Sequence, residues 1–271
     1  MKRVLLLFIL LLTAVNGANA YEFPFTLIKF KPHFFRMDGN HLVYKYVDNF
    51  TSETLLKKNL KINDLIFEKT IKLLAISPDD KKIKIYIYKS VTQKRKMMGS
   101  IERSNIEDGF IHVAINSPNF IIGNIVPLLA SQYFGRCESI FINKGLRYIY
   151  KPIISNYGVD ELENIFNECG MMRKVDLMLD NEYISHNNDE ITMVSSASFV
   201  KFLLTQYPLT FFWKWYGTPI KSYEDSFKKI YGFSIQEAEI QWHENMNKIG
   251  ISDKKFSKMK EELEKHGIKL R

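Results

Sequence analysis

Cysteine is scarce in this chain, which has only Cys137 and Cys169 among its 271 residues. A disulfide between them would close a loop of about 30 residues and stabilise an exported fold by roughly 3–4 kcal/mol in the chain-entropy description. Two unpaired thiols are the alternative, because spacing alone does not show whether the two Cα atoms lie within reach of each other.

Other absences limit the partners that we expect. The chain has no cluster of Lys and Arg with interleaved aromatics, so a nucleic acid partner is not expected. After the first twenty residues, no apolar run reaches the length of about 20 residues that a bilayer span requires. The formal net charge is +8, which fits binding to an anionic envelope surface and fits solubility equally well.

The first twenty residues predict a secretory signal peptide. Lys2 and Arg3 form a basic start, Val4–Val15 is an apolar run, and Ala18-Asn19-Ala20 matches a cleavage pattern. An uncleaved membrane anchor is the alternative. Cleavage near Ala20 would leave a chain of net charge +6 that is exported, either periplasmic or secreted.

Residues 21–123 are predicted to form a lobe built around a sheet. His41–Asp48 is rich in strand formers, and apolar residues alternate with polar ones in Lys82–Val91 and Gly109–Asn116. These patterns predict strands of one mixed or antiparallel sheet with a single buried face. Apolar residues at helical spacing in Leu55–Leu74 predict a helix.

The rest of the chain reads as a mostly helical lobe, residues 124–271. Ser222 and Ser234 each precede an acid by three residues, which is the spacing of a capping box. Residues 252–271 are highly charged and are predicted to form a peripheral helix. The polar segment Thr92–Asp108, by contrast, is interpreted as an exposed loop with Lys94-Arg95-Lys96 at a solvated tip. The expected fold class is therefore α+β, a small sheet lobe followed by a helical lobe.

The segment Asn124–Tyr150 carries the most specific pattern. It reads as two short helices joined by a turn, and the second contains Asn143-Lys144-Gly145-Leu146. A strand, a helix, a turn and an N-x-G-L helix in this order resemble the catalytic core of the gluzincin (thermolysin-like, peptidase MA-like) metallopeptidases. The helical segments that follow resemble the tail of exported members. The resemblance covers roughly residues 40–245 and implies a zincin-like fold.

The residues that perform zinc chemistry in that family are missing here. The family's H-E-x-x-H falls on Pro127, Leu128 and Ser131, and its third ligand falls on Lys144. None of these side chains can reproduce the zinc site, since the first helix would have to present two imidazoles and a carboxylate. No two of the six histidines are four residues apart. We therefore expect no metal, no other cofactor and no zinc peptidase activity.

Three functional interpretations remain open. The first is an inactive pseudopeptidase that binds a peptide or protein ligand, and the second is an envelope-assembly module. The third is a metal-independent hydrolase in which Ser131 and Lys144 act as nucleophile and base; a Ser bonded within its own turn is the structural alternative. His112, on a strand bordering the implied cleft, is a weaker candidate.

Two further segments have structural alternatives of their own. The aromatic block Thr210–Gly217 is interpreted as core packing rather than as a ligand-binding or membrane-facing patch. Asn49-Phe50-Thr51 matches an N-glycosylation sequon.

Overall fold

Five strands form one mixed sheet in the order β1-β2-β3-β5-β4 in the part of the chain that the structure describes. That part, in a computed structural model, comprises residues 34–46, 52–77, 82–115, 121–154, 156–248 and 252–270. The strands are β1 Phe35–Asp38, β2 Leu42–Tyr46, β3 Ile83–Tyr88, β4 Ser104–Glu107 and β5 Phe110–Ala114. β2, β3 and β5 are parallel, while β1 and β4 pair antiparallel at the two edges. The three predicted strands are therefore confirmed where they are described.

The alternating strands bury one face as predicted, but the second face is buried in part as well. Ile85, Ile87 and Ile111 have no exposed surface and belong to the main hydrophobic core. On the opposite face, Tyr88 is fully buried and His112 is 5% exposed. The expectation of a single buried face is wrong at this end of the sheet, because a helix covers it.

That helix, α2, lies in the segment interpreted as an exposed loop. α2 spans Val91–Met98, and β4 follows it. Ser90 caps the helix by accepting a hydrogen bond from the backbone N–H of Gln93, and Gly99 ends it at a φ of 73°. A hydroxyl cap and a left-handed glycine are ordinary helix boundaries. Neither α2 nor β4 was predicted, because residues 92–108 are mostly polar and show no apolar periodicity.

The first helix holds the β1–β2 turn. α1 spans Glu53–Leu74, which confirms the predicted helix. Its Asp64 accepts hydrogen bonds from the backbone N–H groups of Asn40, His41 and Leu42 at 2.9–3.1 Å. Its neighbour Asn63 accepts another from Ile122 N at 2.8 Å. These two polar side chains of α1 therefore position both the β1–β2 turn and the segment that leads to the helix beginning at Ile125.

The remainder is helical, as predicted. The helices are α3 Ile125–Phe134, α4 Ile140–Tyr148, α5 Val159–Glu168, α6 Val175–Leu179, α7 Asn181–His186, α8 Glu190–Gln206, α9 Leu209–Tyr216, α10 Tyr223–Tyr231, α11 Ile235–Asn247 and α12 Asp253–Lys265. The capping box at Ser234 is confirmed. That at Ser222 is wrong, because its hydroxyl donates back to Pro219 O at 3.1 Å.

α12 lies in the segment predicted to form a peripheral charged helix, and most of its residues are exposed. Met259 and Leu263 on this helix have no exposed surface. They pack into a second hydrophobic cluster that includes Leu162 and Phe166 of α5. The charged residues of α12 form only its outer face, so the helix is docked by an apolar stripe.

The α+β class is confirmed: a small mixed sheet and a helical part share one main core, which runs from Met37 to Met246. Among the described residues, none of the helices has the length and apolar character needed to cross a membrane. The predicted signal peptide and the sequon at residues 49–51 lie outside the described residues.

α4 packs closely against α8 at Gly145. A Cβ atom placed on Gly145 would lie 2.6 Å from Ser196 O and 2.5 Å from Val200 Cγ2. Such distances are far below van der Waals contact, so glycine is required at this crossing.

We predict that Gly145→Ala lowers the free energy of unfolding. Overpacking costs about 1–3 kcal/mol, which exceeds the gain of about 1 kcal/mol in helix propensity. Urea denaturation measures the change. Gly217→Ala is the matched control, since a Cβ there meets only Trp213 O at 3.8 Å. Equal stability of the two variants would show that the crossing is not tight.

Candidate functional site

α3 begins beside the edge strand β4. Asn124 stands at its N-cap, but its side chain makes no cap hydrogen bond and instead donates to Ser104 Oγ on β4 at 2.7 Å. Pro127 lies in the first turn of the helix, where a missing N–H has little cost, and is buried. Leu128 is 1% exposed and belongs to the main core. The two positions onto which the resemblance would place the family's first ligand and general base are thus filled by apolar packing.

Ser131 and Lys144 do not bond to each other. The Ser131 hydroxyl donates to Leu128 O within its own turn at 2.9 Å. The Lys144 ammonium donates to Ile184 O on α7 at 3.0 Å. Burial, and secondarily Arg147, lowers the pKa of Lys144, while Asp189 opposes the shift. A nucleophile–base pair needs a direct hydrogen bond between its members, and here each group is held by a main-chain carbonyl.

His112 lies on the face of the sheet that α2 covers. Its Nδ1 is 2.9 Å from the hydroxyl oxygen of Tyr88, and its ring stacks on Tyr86 with centroids 4.8 Å apart. Burial lowers the pKa of His112, which favours a neutral ring at physiological pH. His112 therefore belongs to an aromatic cluster.

The two cysteines are free thiols, so the disulfide alternative does not hold in this structure. Cys137 is buried in the main core, with its Sγ 3.2 Å from the hydroxyl oxygen of Tyr223. Cys169 is half-buried and packs against the second hydrophobic cluster. Burial raises the pKa of both thiols, which makes them poor nucleophiles.

The aromatic block packs as a core helix. In α9, Phe212, Trp215 and Tyr216 have no exposed surface. Trp213 stacks on Phe134 of α3 with ring centroids 3.7 Å apart. The block therefore fixes α9 against the end of α3.

Within the described residues, no group of three or more His, Cys, Asp or Glu side chains is arranged to hold a metal ion.

An open groove lies at the ends of strands β2, β3 and β5, and the sequence did not indicate it. Its volume is about 720 Å³. It is lined by Arg36, Val43, Phe67, Lys82, Ile83, Lys84, Gly109, Phe110, Leu129, Gln132 and Tyr133. Three of these side chains are cationic, three are aromatic and none is acidic. Leu129 and Gln132 lie on the opposite side of α3 from Pro127 and Ser131, so the groove is distinct from the implied metal site.

Charge in the groove is only partly neutralised. Arg36 pairs with Asp38 at 2.7 Å, and Lys82 lies 3.9 Å from the same carboxylate. Lys84 is exposed and lies 5.5 Å from the centroid of the Phe110 ring. The lining contains three cationic side chains and no acidic one, so the lining itself carries a net positive charge.

Lys94 was expected at a solvated tip and is instead fully buried. Its ammonium donates to Glu102 O at 2.9 Å and to Ser100 Oγ at 3.2 Å. Burial lowers the pKa of Lys94, although Glu102 and Glu107 oppose the shift. The ammonium holds the loop that leads into β4, next to the start of α3.

Comparisons with known proteins give no relative. The chain matches no protein-family model, no curated protein and no solved structure.

We predict that Lys94→Met destabilises the fold by about 1–3 kcal/mol, because Glu102 O loses its donor. Lys96→Met, at an exposed position of the same helix, should change stability by less than about 0.5 kcal/mol. Denaturant unfolding measures both, and equal effects would contradict a buried Lys94.

The same pair of variants gives a pH test. The pKa of Lys94 is lower in the folded chain than in the unfolded chain. Between these two pKa values, Lys94 has released its proton in the folded state but still holds it in the unfolded state. The stability of wild type relative to Lys94→Met should therefore increase as the pH rises toward the unfolded value of about 10.4.

Proposed function

We propose that this chain is a non-catalytic binding protein on a gluzincin-like scaffold, and that its ligand is an acidic peptide segment. The resemblance contributes the scaffold, and the shared residues of α4 have structural roles that fit it. Asn143 donates to Cys137 O and Ser139 O, both at 3.0 Å, and so holds the turn before α4. Gly145 permits the crossing with α8.

The observation that carries the non-catalytic assignment is the bonding of Ser131 and Lys144. To act as nucleophile, Ser131 would need the hydroxyl that donates a hydrogen bond to Leu128 O. To act as base, Lys144 would need the nitrogen that donates to Ile184 O. Breaking either bond would leave a carbonyl with fewer partners, at a cost of about 1–3 kcal/mol where it is buried. The hydrolase alternative therefore has no geometric support.

The groove supports the binding assignment. Its size of about 720 Å³ is within the range of pockets that enclose small ligands or a few side chains. Phe67, Phe110 and Tyr133 offer apolar and aromatic contacts, and Lys84 offers an exposed cation. An extended segment that alternates acidic and apolar residues matches this lining. An anionic envelope surface remains a second possible source of the same charge.

We predict that a labelled peptide of about twelve residues alternating Glu and Leu binds at low ionic strength, while its Lys–Leu counterpart does not. Lys84→Glu should weaken binding about three- to tenfold, as expected for the reversal of one exposed charge. Fluorescence anisotropy measures the affinity. Lys229→Glu, at an exposed position on α10, is the control. Equal binding of both peptides, or equal effects of both variants, would rule out this groove as the site.

The scaffold assignment has a separate test. If the alignment with the gluzincin core is right, the variant Pro127→His, Ser131→His, Lys144→Glu should recreate three zinc ligands, two on one face of α3 and one on α4. Leu128 is kept, so that the core packing of α3 is disturbed as little as possible. Isothermal titration with zinc measures the affinity, after circular dichroism has shown that the variant folds.

The matched control carries Lys144→Gln in place of Lys144→Glu and lacks the third carboxylate. We expect the three-ligand variant to bind zinc more than about tenfold more tightly than this control. Equal affinities in two folded variants would show that α3 and α4 are not arranged as in the gluzincins.

A further inference from the structure

Two basic side chains of the α4 end lie against the start of α3. A Cβ atom placed on Gly123 would be 2.9 Å from Arg147 Cγ and 3.1 Å from Lys151 Cδ. Both stems therefore run past the same glycine, two residues before α3 begins. Lys151 Nζ also lies 5.1 Å from the centroid of the Tyr148 ring, and this contact helps to orient the ammonium.

A third basic residue lies nearby, in the segment that leads into the sheet. Arg103 directly precedes β4, and its carbonyl accepts a hydrogen bond from Ala114 N at 2.7 Å. The next residue, Ser104, bonds to Asn124, which adjoins Gly123. Burial lowers the pKa of Lys151, and the charges of Arg147 and Arg103 lower it further. The three cations are therefore close enough to repel one another.

In the part of the chain that the structure describes, this cluster forms no ion pair. No carboxylate of the described residues lies within ion-pair distance of Arg103, Arg147 or Lys151. Among the described residues, the Nε atom of Arg147 has no hydrogen-bond partner and almost no accessible surface. The guanidinium is therefore not compensated at that atom, and a ligand would contact its outer nitrogens.

The C-terminal end of α4 does not account for all three charges. The free carbonyls at that end attract basic groups, which explains the presence of Arg147 and, more weakly, of Lys151. Arg103 belongs to a different element and gains nothing from that helix. The positive end of α3 faces the same region, and Pro127 removes one of its free N–H groups. Side chains, rather than backbone donors, must therefore supply most of the binding.

We propose that Arg103, Arg147 and Lys151 form a binding site for a phosphate group beside the start of α3. Two guanidinium groups and an ammonium match the charge and the several acceptor oxygens of a phosphate better than those of a single carboxylate. The site is separate from the groove that contains Lys84, and it does not depend on the ligand proposed for that groove. The phosphate belongs either to a soluble molecule or to a lipid head group.

The probes are inorganic phosphate and vesicles of phosphatidylcholine with or without phosphatidic acid, all at matched ionic strength. Titration calorimetry measures phosphate binding, and vesicle sedimentation measures lipid binding. We expect Arg147→Gln and Lys151→Gln to weaken the affinity for phosphate about tenfold or more. Arg95→Gln and Lys229→Gln, at exposed positions, should leave it unchanged. Arg147→Lys should recover part of the affinity, because it keeps the charge.

Thermal unfolding without added anions shows whether the variants fold. Since each removes repulsion within the cluster, their melting temperatures should equal or exceed that of wild type. Loss of phosphate binding in Arg147→Gln and Lys151→Gln supports the site with a soluble ligand. Loss of binding only to vesicles with phosphatidic acid supports it with a lipid head group. Unchanged binding of both probes in both variants, or no binding of either probe to wild type, would overturn the proposal.

Discussion

The close crossing of α4 and α8 at Gly145 is the constraint on which the candidate site depends. No side chain fits between the Gly145 backbone and Ser196 O, so the rotation of α4 about its axis is fixed. That rotation buries Phe141 and Leu146 in the core. It also directs the Lys144 ammonium toward α7 rather than toward Ser131. The same packing therefore keeps the Lys144 ammonium away from the Ser131 hydroxyl on α3.

The sequence predicted those elements whose own residues carry the signal. β2, β3 and β5 alternate or are rich in strand formers, and α1 has apolar residues at helical spacing. α2 and β4 were missed because their composition is polar, and the reasons that they form lie elsewhere in the fold: a covered sheet face and a partner strand. Lys94 shows the difference most clearly. A run of basic residues indicates a solvated surface, yet Lys94 is buried and its ammonium donates hydrogen bonds to two acceptors.

The candidate site was predictable in part for the same reason. The alignment placed Pro127 and Ser131 on one helix and Lys144 on the next, and the structure has them there. Which acceptor each side chain reaches was not predictable, since Ile184 O comes from a helix forty residues away. The groove and the basic cluster were also out of reach, because each is assembled from separate strands and helices. Sequence periodicity indicates which face of a single helix or strand is buried, whereas pockets form between several elements.

We propose binding rather than hydrolysis because Pro127 and Leu128 are packed in apolar surroundings and the Ser131 and Lys144 side chains are bonded to backbone carbonyls. The zinc content of the unmodified, untagged chain, purified after growth with added zinc and measured by mass spectrometry, tests this account most directly. The account predicts far less than one zinc ion per chain. One tightly held zinc ion per chain, whose removal by a chelator lowers the melting temperature, would contradict it.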